Sequence, residues 1–271
     1  MLNTGVAMSH HGRTMSPMSL RPIISYGGGI QSTALLVLAA RQQIDAGYAV
    51  FANVGDRSEH PETLDYVRNI AIPYGEAHGI EVVELRNKVD LYDHVLSDTN
   101  RSIAIPLRMA GGGFGNRKCT ERWKITRVNA WLRKHGATVD NPATVHIGIS
   151  LDEWQRVNNR RPSANQVTSY PLIDMRIDRV QCANIIRDAG LPVPPKSSCW
   201  FCPFTNPTHW AERRRDQPEL FAAAVEFEDA INEKRARIGK DAGTLAGVPL
   251  RDVSEAQASL FDGCDSGYCW T

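Results

Sequence analysis

The sequence predicts an α/β protein, a doubly wound parallel sheet with a helical, cysteine-containing C-terminal part. Three observations predict it. The stretch Ile23 to Ala40 (IISYGGGIQSTALLVLAA) reads as the end of a buried strand, a turn of Gly27, Gly28 and Gly29, and an apolar helix from Ser32 onward. Strand and helix patterns then alternate, which implies parallel strands joined by crossover helices. The chain of 271 residues is long enough for one large domain plus a smaller C-terminal addition.

The elements follow in order. Residues 1–20 lack an apolar core and read as a flexible leader. Tyr48 to Val54 is a second buried strand ending at Gly55. A polar loop leads to a helix from about Pro61, with Glu62 and Thr63 in its first turn and Gly79 at its close. Glu59 and His60 in that loop read either as solvated or as part of a site. Ile80 to Leu85 is a third strand. Asn100 to Lys118, with Pro106 and the cluster Gly111, Gly112, Gly113 and Gly115, reads as a long mobile loop. It runs into Arg117-Lys118-Cys119-Thr120 and a helix whose Ile125, Val128 and Leu132 have helical spacing. Val145 to Ser150 is a fourth strand, with Asp152, Glu153 and Arg156 at its C-terminal edge.

Cys182 shares a helical face with Ile185, Ile186 and Ala189, which marks it as core. Gly190 ends that helix, and the proline-stiffened Leu191 to Lys196 divides a nucleotide-binding domain (21–190) from a C-terminal region (191–271). The latter opens on Cys199-Trp200-Phe201-Cys202. Further on, Leu220, Ala223, Ala224, Phe227 and Ile231 form a core-facing stripe, and Arg213, Arg214 and Arg215 read as a solvated face.

Composition excludes several classes. Lys and Arg total 31 against 30 Asp and Glu, so no global field draws the chain to nucleic acid or membrane. The longest clearly apolar run, Ala34 to Ala40, is far short of the roughly 20 residues that span a bilayer. A cytoplasmic, reducing location is expected for the six cysteines, where Cys-x-x-Cys is a metal or redox site more often than a disulfide.

The glycine turn at a helix start is a phosphate cradle: glycine brings amide N–H groups close to a ligand, and the helix N-terminus adds partial positive charge. Ser25, Ser32 and Thr33 supply hydroxyls and Gln31 an amide. No lysine follows the glycines, which excludes a Walker-type P-loop. Arg156 is placed to clamp phosphate or sulfate. Cys119, beside two cations and just before a helix, is expected to favour the thiolate. Cys199 and Cys202 suit one metal ion, one iron-sulfur cluster or a dithiol–disulfide cycle.

The glycine turn resembles the PP-loop of the N-type ATP pyrophosphatases and of the related phosphoadenosine phosphosulfate reductases, whose pattern is Ser-Gly-Gly-x-Asp-Ser. Gly28, Gly29, Ser32 and Thr33 match, Gly27 stands at the usual serine and Gln31 at the usual aspartate. The loop after the second strand is similar to the family's Asp-Thr-Gly and Pro-Glu-Thr segment: Gly55, Pro61, Glu62 and Thr63 match, and Asn53 and Val54 replace Asp-Thr. Arg117 to Thr120 with Trp123 and Lys124 resembles the sulfur-transferring branch. Gly148, Glu153 and Arg156 match a third segment, with Trp154 in place of serine, and Tyr170 to Ile173 resembles the family's return to the sheet.

The resemblance implies an adenine nucleotide alpha hydrolase-like fold and an ATP pyrophosphatase that adenylates an acceptor for sulfur insertion. It is nearest to the ATP pyrophosphatase component of bacterial DNA phosphorothioation systems, so the implied acceptor is a DNA backbone phosphate. The implied cofactors are ATP and Mg²⁺, with Cys119, Cys199 and Cys202 holding a four-iron cluster, or zinc; Cys264 or Cys269 is a possible fourth ligand. Implied nucleotide contacts are Ser25, Gly27, Gly28, Gly29, Gln31, Ser32, Thr33, Asn53, Gly148 and Glu153, with Cys119, Ser32 and Arg156 catalytic. The implied partners are a cysteine desulfurase and other sulfur-modification proteins, through which DNA is reached. Sulfonucleotide reduction, tRNA thiolation and a non-catalytic nucleotide-binding scaffold are the alternatives.

Overall fold

The computed structural model describes residues 20–159 and 163–254. Most of the expected leader, Arg160, Arg161, Cys264 and Cys269 lie outside the described residues. The order begins β1 (Ile23–Tyr26), α1 (Ile30–Ala40), β2 (Tyr48–Asn53), α2 (Pro61–Tyr66) and α3 (Ile72–Ala77), the last two joined through a π-helical turn at Val67–Ala71. It continues β3 (Glu81–Arg86), α4 (Leu91–Leu96), β4 (Arg108–Met109), a π-helical turn (Cys119–Ile125), α5 (Thr126–Lys134) and β5 (Ala143–Ile147). A 3₁₀ segment (Leu151–Asn159), β6 (Gln166–Ser169), α6 (Pro171–Asp174), α7 (Arg179–Arg187), α8 (Pro207–Asp216), α9 (Pro218–Arg237) and β7 (Gly243–Thr244) complete the order.

Five strands form one parallel sheet in the order β3-β2-β1-β5-β6. Ile23 of β1 faces Tyr48 of β2 on one side and Val145 of β5 on the other. The chain thus builds outward from β1 to β3, then returns to the opposite edge. The reversal falls between β1 and β5, and ligands in such sheets bind beyond the strand C-termini at that switch point.

Both faces of the sheet are covered. On one, Leu35, Leu36 and Leu38 of α1 pack with Ile24, Phe51 and, from α7, Cys182 and Ile186. Ser32 to Ala39 are all buried, as an apolar helix between sheet and helix must be. On the other, Val128 and Leu132 of α5 lie on Ile23, Val50, Val145 and Ile147. A third cluster joins Leu91, Val95 and Trp123 to Trp200, Phe201, Trp210, Phe227 and Ile231 of the C-terminal region. Tyr92 stacks on Phe227 with ring centroids 4.8 Å apart. Two buried charges pin this cluster. The Glu228 carboxylate accepts from the amides of Leu245 (2.6 Å) and Leu250 (2.7 Å), and Lys234 Nζ donates to the carbonyls of Val95 (2.8 Å) and Ser97 (2.6 Å) at the end of α4. No described helix is long and apolar enough to cross a membrane.

Several expectations are corrected. The Asn100 to Lys118 segment is not a free loop: Ile103, Ala104, Ile105 and Leu107 are buried, and Arg108 and Met109 pair with Thr244 and Gly243. Its apolar residues outweigh its glycines, and the longest exposed run is the tip from Ala110 to Phe114. The arginine triplet is a solvated face only in part: Arg214 and Arg215 are exposed and Arg213 is half-buried. Arg213 donates to the Trp200 carbonyl and lies over the Trp210 ring, and Arg214 donates to the Val253 carbonyl and lies over Phe221. Arg215 alone pairs outward, with Asp216. The return to the sheet is Gln166–Ser169, while Pro171 starts a short helix because it cannot donate to a strand ladder. The fourth strand stops at Ile147, where the chain turns and the Ile149 amide donates to the Ile147 carbonyl. The first helix starts at Ile30, two residues before Ser32.

A polar network locks the strand ends. Arg68 bridges Asp56 (2.6 Å) and Glu84 (2.8 Å), and Asn53 Nδ2 donates to both carboxylates at 2.7 Å. Burial works against ionisation of Asp56 and Glu84, and the bonds from Arg68 and Asn53 outweigh it, holding both carboxyls below the usual range. Carboxylates with lowered folded pKa contribute stability that is present above their unfolded value, near pH 4, and lost as pH falls through the folded value. Arg68→Met should therefore cost about 1–3 kcal/mol in urea unfolding at pH 7. The gap from the parent should close as the pH is lowered below about 4; a gap independent of pH would contradict the assignment.

Candidate functional site

The site begins where the β1 and β5 ends meet the start of α1. Gly28 has φ +74°, the left-handed region, and a Cβ there would sit 2.9 Å from Thr63 Cγ2 and 3.2 Å from Val67 Cγ2. Gly148 matters for a different reason. A Cβ there would lie 2.9 Å from the Ser32 amide nitrogen and 3.1 Å from the Gln31 carbonyl carbon, so only glycine lets β5 run against the backbone of α1. The N-cap of α1, Gly29, is extended and provides no side-chain cap, so the amides of the first turn face the space beyond the strands. The Ser32 hydroxyl donates to the Gly29 carbonyl (3.1 Å) and accepts from the Gly27 amide (3.2 Å), which fixes the turn.

Beyond this turn lies a cleft of about 860 Å³ including its open mouth. Ser25, Gly27, Gly29, Gln31, Ser32, Gly148, Glu153 and Arg156 line it, as the sequence leads one to expect. Gln31 is the hub of one wall. Its Oε1 accepts from Arg179 Nη1 (3.2 Å), and its Nε2 donates to Glu153 Oε2 (3.3 Å), which is also paired with Arg156.

Three expected contacts stand behind the wall. Gly28 turns toward α2. Thr33 is fully buried, its hydroxyl 3.0 Å from Tyr26 Oη. Asn53 is 1% exposed and its Oδ1 accepts from the Gly55 amide at 2.7 Å, which places it in the strand-end network.

Of the two readings offered for Glu59, the cleft wall is where it lies; the sequence did not point to Arg179, Lys196 or Ser197, also on that wall, nor to Lys124 as a cleft residue. Arg179 was hidden because it opens α7, outside the matching segments, and reaches back to Gln31. Glu59 is buried rather than solvated: its backbone bridges Cys199, and its Oε1 accepts from the Val54 amide at 3.4 Å. Burial pushes the Glu59 carboxyl up, against the opposing charge of Lys124. His60 is likewise buried, with Nε2 3.0 Å from Gln217 Oε1, and burial pushes its pKa down.

A second, largely apolar cavity adjoins the cleft. Cys119, Cys199 and Cys202 all line it, with Arg117, Ile105, Phe201 and Phe204. Lys124 lines both spaces. The Cys119 thiol is not predisposed to ionise. Cys119 is the first residue of the π-helical turn, and burial pushes its thiol up against the pull of Lys124 and Arg117. By donor type, three soft thiols in an apolar chamber suit an iron-sulfur cluster. Among the described residues, no group of three or more Cys, His, Asp or Glu side chains is gathered closely enough to hold a single metal ion.

The chain matches no protein-family model, and no curated protein matches it.

The close approach at Gly148 gives a direct test. Gly148→Ala should cost about 1–3 kcal/mol in urea unfolding because the methyl meets backbone. Gly113→Ala, where a Cβ meets nothing within 4 Å, should change stability by less than about 0.5 kcal/mol. Equal effects at the two positions would show that the β5–α1 contact is looser than described.

Proposed function

We propose that the chain is an ATP pyrophosphatase that adenylates an acceptor for sulfur insertion, the acceptor being a DNA backbone phosphate. One observation carries the reading: a cationic cleft at a glycine turn and helix N-terminus shares Lys124 with a cavity lined by three cysteines. A polyphosphate site beside a thiol chamber is what nucleotide-activated sulfur transfer requires.

The chemistry follows from the wall. The α1 amides bind phosphate oxygens, the Ser32 hydroxyl fixes the turn that presents them, and Arg156, Arg179, Lys124 and Lys196 offset the phosphate charge. An acceptor oxygen attacks the α-phosphorus, the new O–P bond forms, and the bond to pyrophosphate breaks with both electrons leaving on the pyrophosphate. The acceptor oxygen, a poor leaving group alone, then departs as AMP when a sulfur nucleophile attacks the acceptor phosphorus. That sulfur originates as the outer sulfur of a persulfide on a cysteine desulfurase partner; its attack gives a phosphorus-bound disulfide, and an external thiol reductant cleaves the S–S bond and supplies the two electrons that leave the phosphorothioate. Cys119, Cys199 and Cys202 would hold a four-iron cluster able to carry sulfur. Where no cluster is held, Cys119, one π-helical turn from Lys124, is the thiol we assign to sulfur delivery.

A second reading, reduction of a sulfonucleotide by a thiol, is favoured by the three cysteines that line the cavity beside the cleft. The two differ in products. Adenylation gives AMP and pyrophosphate from ATP in equal amounts, and reduction gives sulfite from the sulfonucleotide.

Incubation of the protein with ATP and acceptor DNA, with chromatographic detection of AMP, should show turnover that Arg156→Ala lowers at least about tenfold. Cys119→Ser should retain pyrophosphate release and lose sulfur incorporation when the desulfurase partner is supplied. Sulfite formation without AMP would overturn the first reading for the second.

A further inference from the structure

The resemblance implies Mg²⁺ beside the phosphates, and the donor set of the cleft does not fit it. Magnesium in nucleotide sites is held by one or two carboxylates plus phosphate oxygens, at near-octahedral geometry. The cleft wall carries two carboxylates, Glu59 and Glu153. Glu153 Oε2 is taken by Arg156 and by Gln31 Nε2 (3.3 Å). Glu59 is 2% exposed and its Oε1 accepts from the Val54 amide.

Three neutral oxygens in or behind the wall are committed too. Gln31 Oε1 accepts from Arg179 (3.2 Å), Asn53 Oδ1 from the Gly55 amide (2.7 Å), and the Ser32 hydroxyl is held between Gly27 and Gly29. Cations meanwhile converge: Lys124, Arg156, Arg179 and Lys196 come from four separate parts of the chain to the same cleft. A guanidinium or ammonium offsets phosphate charge without a metal ion, and an arginine does so with two directed hydrogen bonds.

We propose that the cleft binds a nucleotide polyphosphate without a divalent cation, with Lys124, Arg156, Arg179 and Lys196 in the place that magnesium takes elsewhere. The proposal rests on the reading of the cleft as a polyphosphate site. Gln31 is then a specificity-determining residue. Its amide joins Arg179 to the Glu153–Arg156 pair where an aspartate would add a carboxylate and draw a metal.

Isothermal titration of the full chain with ATP, once in EDTA and once in excess Mg²⁺, tests this. The dissociation constants should agree within about threefold, and Arg179→Ala should weaken binding about tenfold or more in EDTA. Gln31→Asp, checked for folding by circular dichroism, should bind more tightly in Mg²⁺ than in EDTA. Parent binding that is at least about tenfold weaker in EDTA would overturn the proposal and leave the polyphosphate reading standing. An absence of ATP binding under both conditions would overturn both.

Discussion

The structure depends on one close approach of backbone to backbone. At Gly148 the end of β5 comes against the Ser32 amide nitrogen and the Gln31 carbonyl carbon, leaving no room for a Cβ. That contact sets the first turn of α1 at the switch point of the sheet, between β1 and β5, where the strand order reverses. The uncapped amides of α1 therefore face the cleft, and Gln31 is carried to where Arg179 and Glu153 both reach it. A side chain at position 148 would push helix and strand apart and dissolve this geometry at its source.

From that contact the rest of the site follows outward. The end of the proline connector supplies Lys196 to the cleft wall, and the segment after it supplies Ser197 and bridges Glu59 through Cys199 before turning into the aromatic cluster. Trp200 donates its indole N–H to the Arg57 carbonyl at 2.7 Å and Phe201 is fully buried, so the two cysteines flanking these rings are held on a rigid turn. Glu228 and Lys234 fix the far side of the cluster through backbone groups alone. The thiol cavity is thus as well anchored as the glycine cleft, and Lys124 is the side chain common to both.

The fold was legible wherever a local pattern carried it. Ile23 to Ala40, Tyr48 to Asn53 and the Cys182 stripe announce their elements because apolar spacing and glycine positions are local properties. The short β6 was not, since Gln166–Ser169 is polar and its pairing with β5 is a matter of tertiary context. The site divides in the same way. Gly148, Glu153 and Arg156 could be found because they lie in one segment at a strand end. Arg179 and Lys196 could not, because only the folding of α7 and of the proline connector brings them to the cleft. For Cys119 the neighbouring cations were visible in the sequence, and the burial that pushes its thiol up against them was not.

The central claim is that a nucleotide occupies the cleft at the β1–β5 switch point, against the start of α1 and beside the thiol cavity. Hydrogen–deuterium exchange of the protein with and without ATP tests it most directly. The account predicts slowed exchange in peptides covering Gly27 to Thr33, Gly148 to Arg156 and Pro195 to Cys199, with the β3 edge of the sheet unchanged. Protection confined to other surfaces, or none at saturating ATP, would contradict it.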